Sequence, residues 1–129
     1  MKLIQFFGLS VLLAGSMVAC KKDAAPPVDL GGTTWSDSAN VSGIAYKPFT
    51  IVFKKDGTAT VTFNGYSAFA GSWNKPPNSD SVYIFFDESY TTKWKAKGVL
   101  TSSNTKIEGG VLTRVTPDAL TGTFQISKQ

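Results

Sequence analysis

The chain has 129 residues, 13 Lys and Arg against 9 Asp and Glu, a formal net charge of +4, no histidine and one cysteine. That length sets an expectation of one compact domain with a tail. Without histidine there is no Ser-His-Asp or Cys-His nucleophile, no His-liganded zinc and no imidazole base. One cysteine excludes an internal disulfide and a cysteine-cluster metal site.

Met1-Lys2 opens the chain with a positive charge, and the 17 residues from Leu3 to Ala19 are almost wholly apolar or small. Charges then arrive with Lys21, Lys22 and Asp23. This order describes a secretory signal over residues 1–19, with an uncleaved membrane anchor as the alternative. Met17-Val18-Ala19-Cys20 resembles the lipobox of bacterial lipoproteins, whose cysteine sulfur receives a diacylglyceryl group before the signal is removed. The resemblance implies a chain lipidated at Cys20 by acyl chains such as palmitate, because two or more chains anchor stably where one does not. Lys21 rather than aspartate follows the cysteine, which by the same resemblance implies release to the outer membrane, facing periplasm or cell surface. Residues 20–31 read as a tether, with Ala24-Ala25-Pro26-Pro27 favouring extended backbone.

From residue 32 to 129 the pattern is strand after strand, with no sustained helical period. Phe49, Ile51 and Phe53 share one face by period-two alternation. Asp56-Gly57 predicts a hairpin turn into a strand where Ala59, Val61 and Phe63 alternate with threonines. Asn64-Gly65 predicts a second turn, leading into Tyr66 to Trp73. Pro76-Pro77 marks a loop before the strand Ser81 to Phe86. Lys93 to Thr101 sets Lys93, Lys95 and Lys97 outward against Trp94, Ala96 and Leu100 inward. Lys106 to Gly109, Gly110 to Thr116 and Leu120 to Ser127 complete the set. About eight or nine short strands at this spacing predict an all-β fold. The hairpin order favours an antiparallel up-and-down β-barrel of about eight strands, with a β-sandwich as the alternative.

Gly32-Thr33-Thr34-Trp35, Gly71-Ser72-Trp73 and Gly122-Thr123-Phe124 punctuate this domain. With the stretches Phe53 to Val61 and Leu120 to Lys128, they resemble small bacterial lipocalin-like (calycin-type) lipoproteins. In that family a first-strand tryptophan lies across the closed end of the barrel beneath an arginine from near the last strand. Arg114 is the only arginine, so the resemblance implies a Trp35–Arg114 stacking pair. Trp35 follows Gly32 by three positions rather than the family's two, and the domain is shorter than most of the family, which implies a shallow cavity. Abundant inward Phe and Trp predict a mostly filled interior.

The carboxylates fall mostly in turns, where Asp caps its own backbone. Adjacent Asp87 and Glu88 point to opposite faces of an extended chain and cannot form an acid/base pair. No phosphate loop, nucleophile elbow or calcium-loop spacing occurs, so neither an enzyme nor a cofactor or metal site is expected. The Lys93, Lys95 and Lys97 stripe reads as a solvated face, with attraction to an anionic partner as the functional reading. Nucleic acid is not expected. Tyr46, Tyr83, Phe85, Tyr90 and Trp94 are the candidate ligand-binding aromatics, at a rim or on the second sheet face. The expectation is therefore a non-catalytic envelope binding protein, held to the membrane through Cys20 and taking a small hydrophobic or glycan ligand. Alternatives are a structural envelope lipoprotein or a protein-interaction module, since Ser42-Gly43-Ile44-Ala45-Tyr46 resembles a loop of lysozyme-inhibitor lipoproteins.

Overall fold

The computed structural model describes residues 28–43 and 45–129. The expected signal over residues 1–19, the lipidation site Cys20, residues 21–27 of the tether and Ile44 lie outside the described residues. The rest is all-β. Strands β1 (Thr33–Val41), β2 (Lys47–Phe53), β3 (Thr58–Phe63), β4 (Phe69–Asn74), β5 (Ser81–Asp87), β6 (Lys93–Leu100), β7 (Lys106–Thr116) and β8 (Thr121–Lys128) follow one another without a helix among the described residues. Each pairs antiparallel with its neighbours in sequence, and β1 also pairs with β8. The sheet thus closes on itself as an up-and-down barrel, and no strand is left with an open edge.

Period-two alternation decides which side chains fill the barrel. Phe49, Ile51 and Phe53 of β2, Ala59 and Val61 of β3, and Val82, Ile84 and Phe86 of β5 all point inward and are buried. The threonines between Ala59, Val61 and Phe63 face out. A one-residue slip in register would exchange the two sets, so burial fixes the pairing.

The Asn64-Gly65 turn forms as its residues predict, with both in the left-handed region and Tyr66 N–H donating to Phe63 O at 3.1 Å. Residues 66–68 are then loop, and β4 begins only at Phe69. In the β2–β3 hairpin only Gly57 takes positive φ, and its N–H donates to Lys54 O at 3.2 Å. Asp56 closes that turn by accepting from the Thr58 backbone N–H at 2.9 Å and its hydroxyl at 2.6 Å.

The two strands expected over 106–109 and 110–116 are one strand. Between Ile107 and Gly110 the β7–β8 register shifts, and Gly109 takes a φ of +59°. This is a bulge, with an extra residue accommodated by a left-handed glycine. Gly110 lets the neighbouring wall close: a Cβ there would stand 2.5 Å from both the Phe124 ring and the Phe124 carbonyl.

One end of the barrel is plugged. Trp35 is 1 % exposed, meets Phe53 edge-to-face at 6.3 Å and donates its indole N–H to Thr33 Oγ1 at 2.8 Å. Phe53 meets Trp73 at 5.4 Å, and Trp73 donates to Lys54 O at 2.9 Å. Leu30, assigned to the tether by composition, is buried in this cluster with Val28 packed against it. The Leu30 carbonyl accepts from the Thr33 hydroxyl, so the approach to β1 belongs to the plug.

The expected Trp35–Arg114 pair does not form. Trp35 lies opposite Lys128 at one end of β8, whereas Arg114 donates its backbone N–H to Leu120 O, beside the other end of β8. The two side chains stand at opposite ends of the barrel, because β7 and β1 both flank β8 and antiparallel pairing separates these positions by its length.

Candidate functional site: a cavity at the open end

The end opposite the plug is framed by the β1–β2, β3–β4, β5–β6 and β7–β8 connections. Between them lies a cavity of about 220 Å³, so the interior is filled at the plugged end and open at the other. Its depth is lined by Phe49, Phe63 and Leu112, and its mouth by Val41, Tyr66 and Leu120. Phe49 sits edge-to-face with Phe63 at 6.3 Å and with Phe124 at 5.4 Å, which sets the floor. The cavity is smaller than the roughly 300–1,000 Å³ of drug-sized ligand pockets, and suits a short chain or a single ring system.

A ladder of flat groups forms one wall. Phe69 on β4 stacks on Phe86 of β5, with centroids 6.2 Å apart and planes 14° from parallel. Phe86 stacks in turn on Trp94 of β6 at 6.1 Å and 4°. The Arg114 guanidinium from β7 lies over the Trp94 ring, 5.9 Å from its centroid. Strand pairing dictates this order, since Phe86 is opposite Trp94 and Trp94 is opposite Arg114. Four adjacent strands thus each contribute one planar group to a continuous wall.

Polar contacts are confined to the rim. Trp94 Nε1 donates to Glu88 Oε2 at 2.8 Å. Arg114 donates through Nη2 to Asp118 Oδ1 at 2.8 Å and through Nε to Asp118 O at 3.2 Å, which ties the β7–β8 connection to the ladder. The cavity offers a visitor apolar surface to bury, with one carboxylate and one guanidinium at the entrance. The physical gain such a lining offers is apolar surface removed from water.

Of the five aromatics singled out from sequence, only Trp94 lines the cavity. Tyr90 stands 97 % exposed in the β5–β6 connection. Tyr83 and Phe85 occupy the outer face of β5, and Tyr46 lies on the outside wall with its hydroxyl 3.5 Å from Thr123 Oγ1. They do not converge. Arg114, expected at the closed end, belongs to the cavity instead. Phe63, Phe69 and Phe86, which line the cavity, read as core in the sequence. Their signal was position: each borders a connection on the same end of the barrel, which follows from counting alternate loops in an up-and-down order.

Comparison with protein-family models, with curated proteins and with solved structures finds no match to this chain. The barrel is compatible with a lipocalin-like fold.

Proposed function

We propose that this chain is a non-catalytic binding protein of lipocalin-like type, moored to the outer membrane by acyl chains on Cys20 and taking a small hydrophobic ligand at the open end of its barrel. The observation that carries this reading is the apolar cavity beside the Phe69–Phe86–Trp94–Arg114 ladder. Of the two ligand classes raised by the sequence, the lining favours the hydrophobic one. A glycan needs convergent donors and acceptors, whereas here the polar groups of Glu88 and Arg114 are engaged at the rim by Trp94 and Asp118. Affinity would come from apolar surface removed from water, at about 25 cal/mol per Å².

The test is titration of the full chain with a fluorescent fatty-acid probe, with displacement by a short-chain fatty acid. The expected result is saturable, displaceable binding that Leu120→Trp, filling the mouth, removes. Absence of displaceable binding, or binding unaltered by Leu120→Trp in a folded protein, overturns the reading.

A further inference from the structure

We propose that the outer face of β5, β6 and β7 lies on the headgroups of an anionic phospholipid bilayer, a contact separate from any anchor at Cys20. The outward positions elsewhere on the wall are what water demands: Thr58, Thr60 and Thr62 on β3, and Thr121, Thr123 and Gln125 on β8. On β5–β7 they change character. Phe85, Val99, Val111 and Val115 are 48–53 % exposed there, while the other exposed large apolar side chains among the described residues, Tyr46, Tyr66 and Tyr90, lie in connections rather than on strands. Exposed apolar groups gathered on one wall mark an interaction surface.

The same wall carries the lysine stripe. Lys95 is opposite Phe85 on one side and Thr113 on the other, and Lys97 is opposite Tyr83 and Val111. Lys93 pairs with Asp87 at 3.0 Å, so its charge is offset locally. Lys95 and Lys97 make no ion pair among the described residues, and Lys97 Nζ lies 5.5 Å from the centre of the Tyr83 ring. Charge complementarity calls for an anionic occupant. The interleaving selects among anions. A sulfated or carboxylated polysaccharide is held mainly by charge and gives aliphatic valines nothing to bury against, whereas a bilayer surface takes ammonium groups at its phosphates and lets rings and valines settle just below them. Lysine stems extended along apolar surface with the charge at the tip fit that layered environment.

The test uses the full chain on two kinds of vesicle, phosphatidylcholine alone and phosphatidylcholine with phosphatidylglycerol. Residue-resolved amine acetylation is read by mass spectrometry. The apolar stretch Leu3–Ala19 is common to both arms, and the residue-by-residue readout separates Lys2, Lys21 and Lys22 beside it from the lysines of the barrel face. The expected result is that Lys95 and Lys97 react more slowly on anionic vesicles, by about fivefold. Lys47 and Lys54, on the other side of the barrel, should be unchanged, and high salt should abolish the difference. With Lys95→Glu alone, at an exposed position, the slowing of Lys97 on anionic vesicles should shrink, and with Lys97→Glu alone that of Lys95 should shrink. Equal reactivity on the two vesicles, or uniform slowing at all lysines, overturns the proposal. Protection by a sulfated polysaccharide with none on anionic vesicles also overturns it and gives the face to an anionic polymer.

Discussion

The Trp94 indole is held from two directions: its Nε1 donates to Glu88 at 2.8 Å, and the Arg114 guanidinium covers its ring at 5.9 Å. The mouth of the barrel is therefore shaped by polar and cation–π contacts, while the opposite end is shaped by buried rings. The two ends should respond differently to substitution.

Arg114→Ala removes a cation–π contact worth about 0.5–1 kcal/mol and a half-exposed ion pair worth about 0–1 kcal/mol. The expected loss is about 1 kcal/mol, seen as a drop of about 4–8 °C in Tm. Arg114→Lys should fall between the two proteins, because an ammonium keeps the charge but not the flat stack. Thermal unfolding followed by circular dichroism measures both.

Trp35→Ala should cost far more, about 3–5 kcal/mol, since it empties a site that is 1 % exposed and faces Phe53. Urea unfolding measures it. Trp35→Ala should also leave the Trp94 environment of any folded fraction unaltered, and Arg114→Ala should not change that of Trp35, because the two lie at opposite ends.

The adjacent glycines of the β7 bulge make a paired test. At Gly109 a Cβ meets open space but the backbone has φ +59°, so Gly109→Ala should cost about 1 kcal/mol. At Gly110 a Cβ would stand 2.5 Å from the Phe124 ring and carbonyl, so Gly110→Ala should cost more, up to about 3 kcal/mol. Chemical denaturation of the two variants gives the order directly.

Hydrogen bonds from the Thr58 hydroxyl, the largest influence, and from the Thr58 backbone N–H hold the Asp56 carboxyl below its ordinary value. A depressed carboxylate contributes stability that is full above the unfolded value of about 3.9 and fades as pH falls through the lower folded value. Asp56→Asn should therefore flatten the loss of stability on acidification below about pH 4. The measurement is Tm against pH for both proteins.

The barrel itself was legible in the sequence because its signals are local: alternation in Phe49 to Phe53 and Ala59 to Phe63, and the Asp56-Gly57 and Asn64-Gly65 turns. The join at Gly109-Gly110 was not, since two glycines read equally as a turn between strands or as a bulge within one, and only pairing of Gly110 with Phe124 decides. Leu30 looked like linker because Gly and Pro surround it, yet a lone large apolar residue beside a barrel's first strand fills the nearest hole. The site was the least legible. Phe69, Phe86, Trp94 and Arg114 are spread over 46 positions in four strands, and their meeting depends on registers that no single stretch encodes. Tyr83 and Phe85 compete with them as candidates in the sequence, although alternation with buried Val82, Ile84 and Phe86 places both on the outer face.

Seven of the eight ladders join strands that are consecutive in the chain, and only the β1–β8 seam, matching Trp35 to Lys128, reaches across it. Hairpins can zip one after another from nearby residues, so the seam carries the main loop-closure entropy of folding. It should close last. Hydrogen exchange in the native protein would then find the weakest amides along this line, where the cylinder first splits into a curved ribbon.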